Sequence, residues 1–360
     1  MKRDELIKYL EGAPCIKTNI FLWGTGNTAN LYQEGIERLK QEGFDFVGYV
    51  DNNSSKWGEK LFNKTIYSPN YLETLNDVYV FILSPQVKVI RAVGKQLSEM
   101  NIPYCTFDEY VLKTHKNEVL ECYDLFEDEI SRDTYAELVR CRICADYPAD
   151  ELVSKGQYFA FRDFGEYDSG EVFLDCGAFV GDTLEAYISS KGGVFSKIIA
   201  FEPDERNFDA IQTRVNRIKK EWNLEDEKIE IVPYGISDTS NTKYVQRYDN
   251  NNGLGSKIIS DKSDIAQECK VVSIDEFVDG KVGFIKADIE SYEYRLIIGA
   301  QNMIKSQSPK MAICIYHNVV DFYQIPLLLK EINPNYRFAV RHYTHVLSDT
   351  VLYAYVRICD

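Results

Sequence analysis

Apolar residues along this chain fall into short runs separated by stretches with helical spacing. NIFLW (19–23) suits a buried strand; it breaks into Gly24-Thr25-Gly26-Asn27-Thr28-Ala29, and the helical LYQEGIERLKQ follows. FDFVGYVD is a second strand ending at Asp51, and VYVFILS (78–84) and PYCTF (103–107) are two more, with VKVIRAVGKQLSEM a helix between them. Strands that alternate with helices at this spacing predict a parallel sheet with right-handed crossovers. Ligands on such sheets bind at the carboxyl ends of the strands.

The pattern restarts near Gly170. VFLDCGAFVG (172–181) is a strand with a glycine turn, DTLEAYISS a helix, KIIAFEPD (197–204) a strand, and ERNFDAIQTRVNRIKKEW a long amphipathic helix. KIEIVPYGIS (228–237) is a third strand, and YDNNNGLGS after it is a loop by composition, either a lid or an ordinary surface connection. VGFIKADIE (282–290), a helix from Tyr292 to Ile304, KMAICIYHN (310–318) and a helical PLLLKEI follow. YRFAVRHY and SDTVLYAYVRI, joined by a short turn, close the block as an antiparallel pair.

Three regions result: an α/β domain over 1–107, a connector over 108–169, and a second α/β domain over 170–360. The connector reads as helical, with Leu125, Phe126, Ile130, Leu138 and Val139 loosely on one face. It holds 7 basic against 16 acidic residues, a net −9, and so presents a solvated acidic surface.

Charge and cysteine content narrow the function. With 41 Lys and Arg against 56 Asp and Glu, the net charge is −15, which argues against a phosphate-neutralising nucleic-acid surface. No apolar run reaches the ~18 residues of a membrane span. MKRDELIKYLEGAPC has acidic residues where a leader needs an apolar stretch, so the expectation is a soluble cytoplasmic protein, with a homo-oligomer compatible. The 9 cysteines are scattered and odd in number, which predicts reduced thiols. Cys141 and Cys144 form a C-x-x-C inside a helical stretch with no second pair, and chance or packing accounts for them.

The two glycine turns differ in chemistry. Gly24 to Asp51 and Asp175 to Glu202 each span 27 residues, and both place a carboxylate at the end of a second strand, where ribose hydroxyls can donate to it. In the second block Asp175 also stands at the tip of the first strand. A carboxylate there repels a pyrophosphate by about 1 kcal/mol or more and attracts an ammonium or sulfonium. S-adenosylmethionine (SAM) meets those requirements, and Gly177 and Gly181 let the backbone approach it.

VFLDCGAFVGDT, IIAFEPD, VPYGISDTS, VVSIDEF and FIKADIESYEYRLIIGAQNMI, in this order, resemble the FkbM-type family of SAM-dependent methyltransferases over about 170–360. The resemblance implies a class I methyltransferase fold, a seven-stranded mixed sheet with its last strand antiparallel, preceded here by the smaller α/β domain and the connector. It implies O-methyl transfer to sugars or other hydroxylated metabolites. Carried over, Asp175, Gly177, Ala178, Gly181, Asp182 and Thr183 line the methionyl end, Glu202 and Pro203 hold the ribose, and Asp238 lies near the adenine. The family's Lys-x-Asp-x-Glu-Gly run is Lys286-Ala-Asp288-Ile-Glu290-Ser291 here, an exchange that bears on the acceptor side. Through WGTGNTA and YVDNNSSKWG the first domain resembles the Rossmann-like domains of bacterial glycan and nucleotide-sugar enzymes. Its Gly24, Gly26 and Asp51 make either a nucleotide-type site or a degenerate docking or dimerisation module.

Methyl transfer to a hydroxyl requires an in-line acceptor and removal of its proton. Lys286, Asp288, Glu290 and His317 stand near the carboxyl ends of the strands concerned. Asp288 and Glu290, two apart in an extended segment, would share a face, either binding a divalent cation or dividing the work of orienting substrate and fixing Lys286. His317 is the economical general base, against the alternative of an inert packed imidazole. His342 and His345 read as structural, Arg341 as a surface residue or an anion contact, and Tyr158 and Phe159 as a cover over core, cofactor or acceptor. Two other functions fit less of the pattern: an NAD(P)-dependent sugar-nucleotide oxidoreductase or epimerase using the first turn, and a non-catalytic scaffold binding SAM or a nucleotide.

Overall fold

The computed structural model describes residues 1–14, 19–247, 256–259 and 266–356, and the chain forms two compact units. The first is Met1–Val153 with two short returning segments, Tyr316–Tyr323 and Thr344–Ser348. The second is Ser154–Ile315, Gln324–Tyr343 and the chain from Asp349 onward.

The first unit is built on strands β1 (Asn19–Trp23), β2 (Gly48–Val50), β3 (Lys60–Leu61), β4 (Lys64–Tyr67), β5 (Val78–Ile82) and β6 (Tyr104–Thr106). Their order is β3-β4-β2-β1-β5-β6, parallel except for β3, which pairs antiparallel with β4. The small β3–β4 hairpin has no apolar alternation to announce it. Phe21, Trp23, Val50, Val80, Ile82 and Leu97 form the core on one face of the sheet. On the other, Phe44, Phe46, Phe81, Phe107 and Tyr110 pack ring against ring.

The helices Phe107–Thr114, Lys116–Leu125 and Glu129–Cys144 also belong to this unit. From the last of them, buried Arg142 pairs with Asp108 at 2.6 Å, and Tyr32 donates to the same carboxylate at 2.7 Å. Arg142 also donates to the carbonyls of Tyr316 (3.1 Å) and Leu347 (3.4 Å), so one guanidinium holds both returning segments. An Arg38–Asp321 ion pair holds the first of them again.

The second unit contains β7 (Val172–Cys176), β8 (Lys197–Phe201), β9 (Ile229–Val232), β10 (Tyr234–Ile236), β11 (Asn241–Arg247), β12 (Ser256–Ile259) and β13 (Gln267–Val272). It continues with β14 (Phe284–Ala287), β15 (Lys310–Cys314), β16 (Arg337–His342) and β17 (Thr350–Tyr355). Its main sheet has the order β16-β17-β15-β14-β7-β8-β9, with β17 antiparallel to both neighbours and the remaining pairs parallel. This is the seven-stranded mixed sheet expected of the class I methyltransferase fold. The central strands are buried on both faces, as continuous runs such as VFLDC and KIIAF require.

Two local expectations are corrected. KIEIVPYGIS is two strands: Pro233 lacks an N–H for the ladder, β9 stays in the main sheet, and β10 joins a smaller sheet ordered β10-β13-β11-β12. Of that smaller sheet, β11, β12 and β13 were unforeseen. The helix expected from Tyr292 to Ile304 is also two pieces, Glu293–Gly299 and Gln301–Gln307. Ser273 Oγ takes the Gly299 carbonyl at 2.8 Å, and the Asp275 carboxylate accepts from the amides of Asn302 and Met303, so side chains satisfy the break. Residues 248–255 of the YDNNNGLGS loop lie outside the described residues, as do Cys15 and Cys359.

Candidate active site

The carboxyl ends of β7, β8 and β14 come together in the second unit. β7 leads into a turn in which Gly177 has φ +80°, and a Cβ there would lie 1.9 Å from the Asp288 carbonyl oxygen. Only glycine fits that approach. Gly181, at φ +82°, is the N-cap of the helix Asp182–Ser190, and Ile211 closes in on it. Ala178 is buried and Thr183 nearly so, while Asp182 starts the helix at the surface.

Asp175 does not stand open at the strand tip. It is wholly buried and paired with Lys286 of β14, N to O 3.1 Å. Burial raises the Asp175 carboxyl above the ordinary carboxylate range, and Lys286 opposes it. Burial works against the Lys286 ammonium as well, but Asp175 and Asp288 outweigh it and hold that amine above the ordinary lysine range. Lys286 Nζ also donates to the carbonyls of Gly177 (2.6 Å) and Cys176 (3.4 Å). The ion pair therefore fixes the glycine turn.

Glu202, just past β8, fixes the same turn from the other side. Its carboxylate accepts from the amide of Phe179 at 2.9 Å and from that of Asp204 at 2.9 Å. Burial lifts its pKa to about 7 against those hydrogen bonds. Pro203 follows it, and Asp204 is clamped by Arg247 of β11 at 2.6 and 2.9 Å. Nothing in the sequence flagged that clamp, because the two residues lie 43 positions apart. Asp238 pairs with Arg295 at 3.0 Å and accepts from Ser237.

On the other side of the turn, the Asp288 amide donates to the Cys176 carbonyl at 3.1 Å, and the Asp288 carboxylate accepts from the Tyr158 hydroxyl at 2.8 Å. The shared face expected for Asp288 and Glu290 is corrected: β14 ends at Ala287, and Glu290 (φ +54°) and Ser291 (φ +80°) are left-handed, so the extended alternation does not reach them. Glu293 brings a carboxylate oxygen within 4.8 Å of one of Asp288, and sequence reading passed over it inside ESYEYR.

His317 is likewise not at a strand end. β15 stops at Cys314, and His317 is buried in the Tyr316–Tyr323 segment of the first unit, its ring 4.0 Å from that of Tyr316. His342 accepts or donates at Thr350 Oγ1 (2.9 Å) and is wholly buried, while exposed His345 meets Asp150. Arg341 lies over the Phe161 ring at 4.6 Å. Buried Cys141 has a thiol pushed up to about 12, so it is not an activated thiolate.

The first unit's turn is occupied by its own side chains. Gly24 has φ +128° and Gly26 caps the helix Asn27–Gln41. The Asp51 carboxylate accepts from Thr25 N (3.2 Å), Thr25 Oγ1 and Asn53 N (2.8 Å), and Lys56 reaches Thr25 Oγ1 at 3.1 Å. Although burial opposes it, those hydrogen bonds hold the Asp51 carboxyl below its usual range.

With this geometry in place, comparisons with known proteins define the class and then the family. Residues 175–338 match the model of the methyltransferase FkbM domain, and residues 16–105 match a C2185-like N-terminal domain. The crystal structure of methyltransferase FkbM from Methylobacillus flagellatus KT is similar over 98% of this chain and 97% of its own, with 20% identity and a TM-score of 0.56. A putative rRNA methylase from Clostridium thermocellum covers 58% of this chain and 99% of its own at 9% identity (TM-score 0.38). A putative methyltransferase from Streptococcus mutans in complex with SAH covers 53% and 91% at 10% identity (TM-score 0.33). No curated protein matches the chain. The second unit is a SAM-dependent methyltransferase. Within that class its residues 175–338 belong to the FkbM family.

The residues present fit SAM: a glycine turn with close backbone approach, a helix beginning at Gly181, and a buried carboxylate after β8. No described helix is long and apolar enough to cross a membrane.

Proposed function

We propose that the protein methylates a hydroxyl oxygen of a sugar, a glycan intermediate or a related hydroxylated metabolite. In this reading Gly177, Ala178, Gly181, Asp182 and Thr183 receive the methionyl end of SAM, Glu202 with Pro203 receives the ribose hydroxyls, and Asp238 borders the adenine. Bound there, SAM supplies an electrophilic methyl group on a good leaving group. The protein then has to orient the acceptor, exclude water and accept one proton.

The observation that carries the reading is the Asp288 carboxylate. The Asp288 backbone carbonyl borders the Gly177 turn, its carboxylate is fixed by the Tyr158 hydroxyl, and Lys286 ties the same turn to Asp175. A carboxylate so placed orients a hydroxyl acceptor and draws off its proton; a carbon or amine nucleophile has less need of it. Glu290, in the same unit, is a second candidate proton acceptor, and His317 is tested by substitution. A divalent cation on Asp288 would lower the acceptor's pKa instead.

The test is a screen of nucleotide-sugar and glycan pools with methyl-labelled SAM, with and without chelator, on the wild type and on Asp288→Asn and His317→Gln. Label on a sugar hydroxyl, strongly reduced but still measurable in Asp288→Asn, is the expected result. Label on nitrogen or carbon alone overturns the reading. Loss of activity with chelator assigns the cation.

A further inference from the structure

Tyr158 lies outside residues 175–338 that match the family domain, in the segment preceding β7. It adopts φ +67°, in the left-handed region, which costs a bulky residue about 1–3 kcal/mol and persists only where the surroundings over-determine it. Its side chain is 6% exposed. The hydroxyl donates to Asp288 Oδ2 at 2.8 Å and accepts from Gln157 Nε2 at 3.2 Å. The ring faces Lys286 Nζ at 5.3 Å from its centroid. Two anchors lead to it: Ser154 N donates to the His342 carbonyl at 2.7 Å, and Gln157 reaches Asp349 at 3.5 Å.

A ring that only filled core would need neither the hydroxyl nor the unfavourable backbone. Here the phenol ends on the carboxylate of Asp288, whose backbone carbonyl borders the glycine turn, and the ring covers the lysine that holds that turn.

We infer that Tyr158 is a positioning residue for methyl transfer: its hydroxyl holds the Asp288 carboxylate in the orientation that meets the acceptor. This rests on the reading above, in which Asp288 serves a hydroxyl acceptor. A carboxylate on a half-buried aspartate turns about χ2 with little resistance, and a fixed donor on Oδ2 removes that freedom. Such misorientation is felt in turnover more than in binding.

The experiment is a double-mutant cycle on the full chain with labelled SAM and a hydroxyl acceptor from the screen. Tyr158→Phe should lower kcat by about 10- to 100-fold while the acceptor KM and the Kd for SAM stay within about twofold. In the Asp288→Asn background the same change should alter kcat by less than about twofold, because the group it positions is gone. Should Tyr158→Phe not fold, Gln157→Ala, which loosens the hydroxyl and leaves the ring, should show the same split with a smaller loss. A kcat equal to wild type, or an equal loss in both backgrounds, overturns the inference. Wild type that methylates no hydroxyl acceptor ends the functional reading and this inference together, whereas active wild type with an unchanged Tyr158→Phe ends this inference alone.

Discussion

Asp175 and Lys286 form an ion pair in which neither side chain is more than 2% exposed. Two charges so deeply buried are stabilising only as a pair, since either one left alone keeps its full desolvation penalty. Lys286→Met should destabilise the protein by about 3–5 kcal/mol, and Asp175→Leu by a similar amount. The double variant Asp175→Leu/Lys286→Met should regain much of that loss in chemical denaturation. It should still bind SAM poorly, because the Gly177 carbonyl has lost its donor. Full recovery of SAM affinity would show that the turn does not need the pair.

Gly177→Ala probes the same turn without touching a charge. The added Cβ would meet the Asp288 carbonyl oxygen at 1.9 Å, at a φ of +80° that alanine resists. The expected cost is about 2–3 kcal/mol or more, with loss of SAH binding in titration calorimetry. A soluble Gly177→Ala protein with unchanged SAH affinity would count against the turn as the cofactor's seat.

How far the sequence foretold this architecture depended on the range of the interactions involved. Strand–helix alternation gave β1, β2, β5 to β9 and β14 to β17 because each is a short apolar run, and the antiparallel last strand followed from the short turn before it as well as from the resemblance. The smaller sheet escaped because QRYDNNNGLGS is dominated by turn-forming residues and its neighbours alternate weakly. Long-range pairing accounts for the rest. Asp175 read as an open negative tip because nothing near it in sequence shows Lys286 beside it. His317 read as the end of a strand, yet the backbone leaves β15 at Cys314 and Arg142, 174 residues upstream, takes the Tyr316 carbonyl.

Ser291 stands where the family pattern has glycine, and it keeps the conformation a glycine would favour, φ +80°. Its hydroxyl is buried with no hydrogen-bond partner among the described residues. Ser291→Gly removes both the backbone strain and the orphaned oxygen, against some added freedom of the unfolded chain. The expected net gain is about 1 kcal/mol, read as a rise in Tm of about 2–4 °C by differential scanning fluorimetry. A fall in Tm would mean that the serine oxygen has a role in holding the Glu290–Ser291 turn.

In the proposed complex, Glu202 gives SAM binding a pH dependence of definite sign. Burial lifts its pKa to about 7, and the ionised form is the better acceptor for the two ribose hydroxyls in the proposed complex. Below that pKa the free protein carries a proton that binding must displace, so affinity weakens as pH falls. A single group titrating near 7 is about one-tenth ionised at pH 6 and nine-tenths at pH 8, which makes the Kd for SAM about tenfold weaker at pH 6. Glu202→Gln should bind more weakly at pH 8 and lose this dependence, since an amide does not titrate. Calorimetric titration at pH 6, 7 and 8 in two buffers of different ionisation enthalpy also counts the protons released, which should rise toward one at pH 6. Equal affinities of the wild type at pH 6 and 8, with no proton release, would remove Glu202 from the ribose site.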